Sequence, residues 1–395
     1  AAASAAAASR PAAGSSPMAV RIERLRWTDI SIGEIALPRK TMKLTLGLGS
    51  GLSRRADDPP GRVFAITDRG PNIFASTAVD DYGLTALEPY RAAETKFMPQ
   101  PQLGPEIVEL QVEGGAVRLI RRLPLCTVTG RRLTGLPLLA AGPKDEDVRA
   151  LDGGLLHNDD ATLQLGADAE AIAAMPDGGF FIAEEYGPSL LKIDASGAAT
   201  ARWVAPPLQD MPRHPDLPVL GLLPPELARR RPNRGLEALC ASQDGAWLYL
   251  GMQSALRDED RNSTPVWKLD ATTGALAGAW RYPFDAPPSF KRDAARRKVG
   301  PGDLKICEFA WAGEDQLIVL ERIAHSSKLY LIDLARLPEK RLIVSSDDHP
   351  EIGPDIEGMA LLSPTEIMIA SDNDFGVEGA QTEFWRITLD VPLPV

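Results

Sequence analysis

Short apolar runs recur along this chain in a fixed order. Each unit opens on an acidic residue, continues through an apolar run, a turn and a second apolar run, and closes on a polar cluster. The unit is clearest where it begins at Glu170, Glu237, Glu308 and Glu357. A degenerate first copy occupies residues 49–69. Repetition of a unit of this size is typical of proteins built as arrays of similar modules.

Each unit predicts a sheet of four short antiparallel strands. Turns are predicted at residues 177–179, 244–245, 313–315 and 363–364, third strands at 190–194, 265–270, 328–333 and 384–389, and fourth strands at 200–204, 275–282 and 342–344. About five such units predict an all-β fold, a β-propeller with four-stranded blades and long loops over one end. Residues 107–125 supply outer strands of the first blade, and residues 20–43 complete the last one. A sixth blade within residues 125–167 remains open.

Composition narrows the classes of protein. The chain has 395 residues, and residues 20–395 are expected to form a single domain behind a disordered Ala/Ser-rich tail at residues 1–19. The net charge of −11 argues against nucleic acid as a partner. No apolar run is long enough for a membrane span, and three cysteines are too few for a disulfide framework. We expect a monomer.

The repeat also predicts where chemistry would occur. Inner strands of a propeller converge on a central channel, so acids at equivalent positions become neighbours, and a hard divalent cation is the usual means of keeping them ionised. The predicted metal ligands, with Ca²⁺ as the expected ion and no nucleotide or organic cofactor, are Asp68, Glu170, Glu237, Glu308, Glu357, Asn373 and Asp374. The alternative is structural, with some glutamates binding backbone N–H groups or arginines of neighbouring blades. Both interpretations remain open for these residues.

Polar residues between the acids suggest an anionic substrate. Guanidinium groups bind phosphate in a bidentate manner, and the predicted substrate-binding residues are Arg69, Asn72, Arg234, Gln253 and Arg322. These arginines could instead neutralise adjacent glutamates. The candidate catalytic residues are Glu184, Glu185, Glu321 and His325. The sequence contains no G-x-S-x-G elbow, H-E-x-x-H, P-loop or Rossmann glycine motif.

Several longer motifs fall on these same features. They are D-R-G-P-N at 68–72, T-G-L-P at 134–137, E-E-Y-G-P-S-L-L-K-I-D at 184–194, R-R-P-N-R-G-L-E-A-L at 230–239, K-I-C-E-F at 305–309, V-L-E-R at 319–322, I-E-G-M-A-L-L at 356–362 and S-D-N-D-F-G at 371–376. In these motifs, from about residue 44 to residue 387, the chain resembles the phytase-like family, described as having "esterase-like activity of phytase". The resemblance implies a propeller hydrolase of phosphate esters or other esters, exported to the periplasm or secreted.

Three functions therefore remain after the sequence has been considered. The leading hypothesis is a metal-dependent hydrolase that acts on a small anionic substrate, a phosphate monoester. The second is a propeller lactonase or carboxylic esterase, because Glu357, Asn233, Asn373 and Asp374 supply the ligand types that such enzymes use for a divalent ion. The third is a non-catalytic binding propeller, since one fold serves many functions.

Overall fold

The computed structural model describes residue 18 and residues 20–92, 94–138, 147–156, 165–210 and 213–394. Strands account for 44% of the described residues and helices for 12%, which confirms the all-β class. Residues 1–17 and 19, on which the prediction of a disordered tail falls, lie outside the described residues. The single domain over residues 20–395 stays a prediction.

Five sheets, each with four antiparallel strands, dominate the described part of the chain, and one of them is extended to six strands by two short parallel strands given below. The strands are numbered in chain order. Sheet I contains β4 (Gly51–Ser53), β5 (Arg62–Ile66), β8 (Glu106–Glu113) and β9 (Ala116–Pro124). Sheet II contains β12 (Ala169–Ala174), β13 (Phe180–Glu184), β14 (Ser189–Ile193) and β15 (Ala198–Val204). Sheet III contains β17 (Leu236–Ala241), β18 (Trp247–Met252), β19 (Ser263–Asp270) and β20 (Leu276–Pro283). Sheet IV contains β21 (Lys305–Trp311), β22 (Gln316–Arg322), β23 (Ser327–Asp333) and β24 (Lys340–Ser345). Sheet V contains β25 (Ile356–Ser363), β26 (Glu366–Ser371), β27 (Phe384–Leu389) and β1 (Val20–Leu25).

The remaining elements are short. A hairpin is formed by β2 (Ser31–Ala36) and β3 (Thr41–Thr45), a small sheet by β6 (Ile73–Phe74), β7 (Lys96–Phe97) and β11 (Val148–Arg149), and β10 (Cys126–Thr127) and β16 (Val219–Gly221) each pair with β15 in parallel. The α-helices are α1 (Ala75–Asp80) and α2 (Lys291–Ala294). Short 3₁₀ segments lie at Thr85–Tyr90, Pro206–Leu208, Pro225–Arg229, Pro287–Ser289, Pro301–Asp303, Leu334–Arg336, Ser346–Asp348 and Asp374–Gly379. Among the described residues, no helix combines the length and the apolar character that crossing a membrane requires.

The first strands of the five sheets contact one another in cyclic order. β4 contacts β12, β12 contacts β17, β17 contacts β21, β21 contacts β25, and β25 returns to β4. A separate apolar core fills each space between successive sheets, so most strands are buried on both faces. This explains why the strands read as continuous apolar runs instead of alternating ones. The arrangement is propeller-like.

The N-terminal strand completes the last sheet, as the sequence predicts. β1 pairs with β27 from Val20 opposite Leu389 to Leu25 opposite Phe384. The rest of the segment at residues 20–43 was assigned wrongly to that sheet, because β2 and β3 pair with each other instead. Their buried residues, Met42 and Leu44 among them, pack in a separate core with α1.

The described parts of residues 125–167 contain only the two-residue strands β10 and β11 and isolated bridges. They add no further four-stranded sheet there, and residues 139–146 and 157–164 lie outside the described residues.

Candidate metal and anion site

The first strands of sheets II to V share a register shift near their start. Each shift leaves one residue outside the regular ladder, and these residues are Glu170, Glu237, Cys307 and Glu357. A β-bulge bends the strand and changes the direction of the side chain. The predicted equivalence of Glu308 with the other three glutamates is therefore wrong by one residue, because Cys307 occupies that position.

A second set of polar residues stands where the second strands end. By the same strand pairing, the equivalent positions are occupied by Asp68, Glu185, Gln253, Arg322 and Asp372. Since all second strands run antiparallel to the first strands, their ends lie beside the starts of the first strands. Both sets of polar residues therefore meet at one end of the ring of first strands.

Seven carboxylates meet at this end in three overlapping groups, within which ligand oxygens lie no more than 4.8 Å apart. The groups are Asp68, Asp168 and Glu170; Asp68, Asp372 and Asp374; and Glu170, Glu185 and Glu237. Asp68 and Glu170 each belong to two groups, so the seven residues form one continuous set. We call this set the acidic cluster.

Asp168 is the least exposed residue of the acidic cluster. Its side chain is 1% exposed, and its Oδ2 accepts a hydrogen bond from Arg69 Nη1 at 2.5 Å. Asp168 Oδ1 is buried and has no hydrogen-bond partner among the described residues. Burial raises the pKa of Asp168 well above its ordinary value, although Arg69 opposes the rise. Asp68 lies beside Asp168 and adds to this rise, so a proton or a cation is needed between the two acids.

The other carboxyls of the acidic cluster also cannot all be ionised at once without a positive charge nearby. Burial, reinforced by repulsion from Glu237, raises the pKa of Glu170 well above its ordinary value. Burial and repulsion from Glu185 raise the pKa of Glu237 to about 8. Burial, with Asp374 nearby, raises the pKa of Asp372 in the same way. A bound cation would replace the protons that these carboxyls otherwise keep.

Two glycines allow the motif loops to approach closely at this end. A Cβ on Gly235 would lie 2.5 Å from the carbonyl oxygen of Glu185, and the Gly235 N–H donates to Glu185 Oε1 at 3.0 Å. A Cβ on Gly135 would lie 1.8 Å from the carbonyl oxygen of Arg69. The Tyr186 hydroxyl donates to the Gly135 carbonyl at 2.9 Å. Four of the sequence motifs therefore meet around the acidic cluster.

A pocket rich in arginine adjoins the cluster on sheet III. Gln253 donates to Glu237 and accepts from Arg234 Nη1 at 2.7 Å, which links the cluster to the pocket wall. The pocket has a volume of about 560 Å³ and is lined by Arg231, Pro232, Arg234, Ser254, Arg257, Arg261, Pro301 and Gly302. Burial, together with repulsion from Arg261, lowers the pKa of Arg231. This concentration of positive charge, called the arginine pocket below, suits an anion.

Glu308 has a structural environment. It is fully buried, its Oε2 accepts from the Leu52 N–H at 3.1 Å, and its Oε1 accepts from the Leu239 N–H at 3.5 Å. It thus connects β21 to β4 and β17, as the structural alternative for the glutamates describes. The paired positions of the other first strands carry Gly51, Ala171, Ala238 and Gly358, which leave room for one long side chain.

Glu357 is neutralised by a buried arginine. Arg322 forms an ion pair with Glu357, contacts Asp355 at 3.3 Å, and donates from Nε to Cys307 Sγ at 3.1 Å. Sheet IV also carries Lys305, so this sheet has two cations at positions where sheets II and V have acids. Glu357 is not a member of the three carboxylate groups found among the described residues.

The four predicted catalytic residues separate into different environments. Glu185 belongs to the acidic cluster. Glu184 is fully buried, pairs with Arg202 at 3.2 Å and accepts from Ser189. Glu321 is fully buried too, and Tyr282, Lys340 and the Asp285 N–H donate to it. His325 lies in the turn between β22 and β23, where its backbone N–H donates to Asp293.

The two predicted asparagines serve their own loops. Asn72 Nδ2 donates to the Gly70 carbonyl at 3.1 Å. Asn373 is fully buried, its Oδ1 accepts from the Leu48 and Phe375 N–H groups, and its Nδ2 donates to the Leu46 carbonyl. Its amide orients the loop that carries Asp372 and Asp374 into the cluster.

Asp168 and Asp372 belong to the acidic cluster but are not among the predicted metal ligands. Asp168 stands two residues before Glu170, and the bulge at Glu170 lets both carboxyls reach the same group. Asp355 repeats this spacing before Glu357. The D-x-E pattern therefore marks this end of a first strand, but it does not identify the members of the acidic cluster, because Asp355 and Glu357 pair with Arg322.

The donor set of the acidic cluster fits a hard divalent cation. All of its side-chain ligands are carboxylate oxygens, the class that Ca²⁺ prefers when it takes six to eight oxygens. The unpartnered Oδ1 of Asp168 is a further observation in favour of a ligand at this place. The described residues of these groups include no histidine or cysteine, which disfavours zinc.

Fold and site together define a propeller-like all-β protein with a carboxylate centre beside a cationic pocket. Residues 45–375 match the phytase-like family, described as "Esterase-like activity of phytase". The match spans more than half of the chain, so the chain belongs to this family. A comparison with curated proteins gives no match.

Solved structures resemble the chain only distantly. One is the PQQ-bound aldose sugar dehydrogenase from Streptomyces coelicolor, with 10% identity, a TM-score of 0.36, and coverage of 95% of this chain and 99% of that one. A luciferin-regenerating enzyme gives 10% identity, a TM-score of 0.37, and coverage of 95% and 98%. A catalytically inactive virginiamycin B lyase from Staphylococcus aureus, with quinupristin, gives 10% identity, a TM-score of 0.35, and coverage of 94% of this chain and 100% of that one. TM-scores this low support no conclusion about activity.

Proposed function

We propose that this protein is a calcium-dependent hydrolase of phosphate monoesters. The observation that carries the proposal is the acidic cluster of seven carboxylates, linked through Gln253 to the arginine pocket. A carboxylate centre holds a divalent cation, and an adjoining group of guanidiniums binds a phosphate. Membership in the phytase-like family supports the hydrolase class.

The proposal includes the closure of the fold. We propose that sheets I to V are the five blades of a closed propeller. The support is the cyclic contact of their first strands and the apolar core between each successive pair. Closure would place the acidic cluster at one mouth of the central channel, with Glu308 across its interior.

The chain's own residues have distinct parts in this proposal. Asp68, Asp168 and Glu170 would hold the cation, which when bound would polarise the phosphoryl oxygens and acidify a water molecule. Arg257 and Arg261, both exposed in the arginine pocket, bind the phosphate oxygens. Glu185, held in place by the Gly235 N–H, orients the attacking water and accepts its proton.

The test is phosphate release from p-nitrophenyl phosphate and from phytate by the purified full chain. Activity should be lost after treatment with a calcium chelator and restored by added Ca²⁺. Glu170→Gln should remove most of the activity, whereas Glu113→Gln, which changes an exposed acid of sheet I, should leave it intact. Hydrolysis that persists after chelation and in Glu170→Gln would overturn the proposal.

A panel of lactones and aryl esters, assayed under the same conditions, separates phosphate esters from carboxylic esters. Activity confined to that panel would replace the phosphomonoesterase proposal with the esterase alternative. We also propose a periplasmic or secreted location, in keeping with the family's exported members. Fractionation of cells that express the full-length gene would test it.

A further inference from the structure

The motif K-I-C-E-F begins with Lys305, a cation at the end of the ring where the acids gather. Lys305 pairs with Arg322 across β21 and β22, and the next residue, Ile306, donates its N–H to the Gln253 carbonyl at 3.0 Å. By strand pairing, Lys305 occupies in sheet IV the position that Asp168 has in sheet II. Lys305 therefore lies at the same end as the acidic cluster, although it carries the opposite charge.

Lys305 also stands beside the arginine pocket. The preceding residues 301–302 line that pocket. Gln253, whose carbonyl is bonded at the start of β21, links Glu237 of the acidic cluster to Arg234 of the pocket through its side-chain amide. Lys305 is therefore located at the junction of the two sites.

The ammonium group of Lys305 has no acid in direct contact. It forms no hydrogen bond and no ion pair within the part of the chain that the structure describes, and the residue is partly exposed. Repulsion from Arg322, together with burial, lowers the pKa of Lys305, and Arg234 adds to this effect while Glu237 opposes it. Cations gathered in this way favour an anion between them, because an opposite charge stabilises each of them.

The cations beside Lys305 are already engaged. Arg322 forms an ion pair with Glu357, and Arg234 donates to Gln253 at 2.7 Å. Lys305 has no such partner in the described ranges. It is thus the positive group at this junction that remains for a ligand.

We infer that Lys305 binds a nonbridging oxygen of the phosphate group on which the proposed hydrolase acts. This role rests on the proposed function, and it locates the reacting phosphate at the junction, with the arginines on its pocket side. Water adds its oxygen to phosphorus and the bond from phosphorus to the alcohol oxygen breaks, while Lys305 keeps its proton throughout and contributes charge alone. Because charge shifts among the phosphoryl oxygens during this step, Lys305 should affect turnover more than substrate binding.

The first experiment detects the contact without using activity. Trace acetic anhydride acetylates accessible amines of the full chain, and mass spectrometry follows the modification of each lysine. Inorganic phosphate, added with Ca²⁺, should lower the acetylation of Lys305 by about fivefold or more when it saturates the site, whereas sodium chloride at the same ionic strength should not. Lys291, whose side chain on α2 is 70% exposed, is the internal control and should react equally in both cases.

The second experiment measures turnover of p-nitrophenyl phosphate. Lys305→Met, which keeps an unbranched stem, should lower kcat by about a hundredfold with a smaller change in KM, as expected when a group that stabilises a transition-state oxyanion is lost. Lys305→Ala leaves space for an external amine, so propylammonium should restore part of kcat, whereas tetramethylammonium, which has no N–H group, should not. Lys291→Met is the matched control, and circular dichroism with thermal unfolding establishes that each variant is folded.

Protection of Lys305 by phosphate, together with the loss and rescue of kcat, would support the inference. Equal acetylation with and without phosphate, an unchanged kcat in folded Lys305→Met, or a loss that propylammonium does not restore would overturn it while the unmodified chain still hydrolyses phosphate esters. An unmodified chain that hydrolyses none of them, but in which phosphate protects Lys305, would reject the proposed hydrolase and support the anion contact.

Discussion

Arg69 Nη1 donates a hydrogen bond to Asp168 Oδ2 at 2.5 Å, and the two residues adjoin different sheets. Arg69 follows β5 of sheet I, whereas Asp168 immediately precedes β12 of sheet II. The pair joins neighbouring sheets at the end where the acids converge. It uses one oxygen of Asp168 and leaves Oδ1 without a partner among the described residues. The acidic cluster is thus built from contacts between sheets and has an unsatisfied oxygen within it.

The first prediction concerns calcium affinity. Asp168→Asn and Glu170→Gln should each weaken Ca²⁺ binding at least tenfold, on the order expected when a charged oxygen ligand is lost. Titration calorimetry on chelator-treated protein measures the affinity. Glu113→Gln is the control for a lost surface charge. Equal affinity in all four proteins would mean that calcium, if it binds, binds elsewhere.

The second prediction concerns the pH dependence of stability without calcium. Glu237 has a pKa raised to about 8 in the folded chain, compared with 4.5 as its ordinary value. Between these two pH values the folded state therefore binds more protons than the unfolded state, so stability is greatest below the lower value and falls as the pH rises through the upper one. The melting temperature in chelator should be lower at pH 8 than at about pH 5.

Two additions make this measurement specific. Glu237→Gln mimics the protonated acid and should reduce the loss of stability as pH rises. Added Ca²⁺ should restore the melting temperature at pH 8, because the cation replaces the protons. A melting temperature that rises toward pH 8 in chelator would contradict the assigned direction of these pKa shifts.

The third prediction concerns Glu308. Its removal leaves the buried N–H groups of Leu52 and Leu239 without their acceptor and opens a cavity between first strands. Glu308→Ala should lower the free energy of unfolding by about 2–4 kcal/mol. Glu308→Gln, which keeps an acceptor oxygen and nearly the same volume, should cost clearly less. Urea unfolding gives both values, and similar costs for the two variants would argue against the hydrogen bonds.

The fourth prediction concerns the ion pair of Arg322 with Glu357. Arg322→Met leaves a partly buried carboxylate without its cation and should lower the free energy of unfolding by about 2–3 kcal/mol. In the double variant Arg322→Met with Glu357→Gln, part of this loss should be recovered, because the unpaired charge is gone. Strictly additive effects of the two substitutions would show that the pair is not coupled.

The fifth prediction concerns the arginine pocket and rests on the proposed activity. Arg257→Met should raise KM for p-nitrophenyl phosphate by about tenfold, as expected for a charge-assisted contact to an oxyanion, with a smaller change in kcat. Arg257→Lys should recover part of the affinity, and Arg118→Met, on the exposed face of β9, should have no effect. An unchanged KM in Arg257→Met would place phosphate binding outside this pocket.

The sequence repeat predicts the secondary structure well, for a physical reason. Strands such as β13, which follows Gly179, and β27, which precedes Asp390, are short and largely apolar, and both properties are local. Register is not a local property. A bulge at Cys307 displaces Glu308 by one residue, and a displacement of one residue turns a strand side chain to the opposite face. The four repeats have similar sequences at this position, so the sequence does not show that the bulge in sheet IV falls one residue before its glutamate.

The same distinction applies to the candidate site. Asp68, Glu170, Glu237 and Asp374 were predicted as ligands and do lie in the acidic cluster, although metal binding itself stays a prediction. Glu184 and Glu321 looked equally available in the sequence. In the structure, Glu184 forms a buried ion pair with Arg202, and Glu321 forms one with Lys340. These partners lie 18 and 19 residues away along the chain, in outer strands.

By itself, the sequence determined the all-β class, the repeated four-stranded unit, the family, and the end of each strand at which polar residues gather. Only the tertiary structure decided which carboxylates share one site, which are neutralised by arginine or lysine, and where the arginine pocket lies. The reason is that hydrophobic periodicity is written into neighbouring residues, whereas the state of a carboxylate depends on burial and on charges that the fold brings from other sheets.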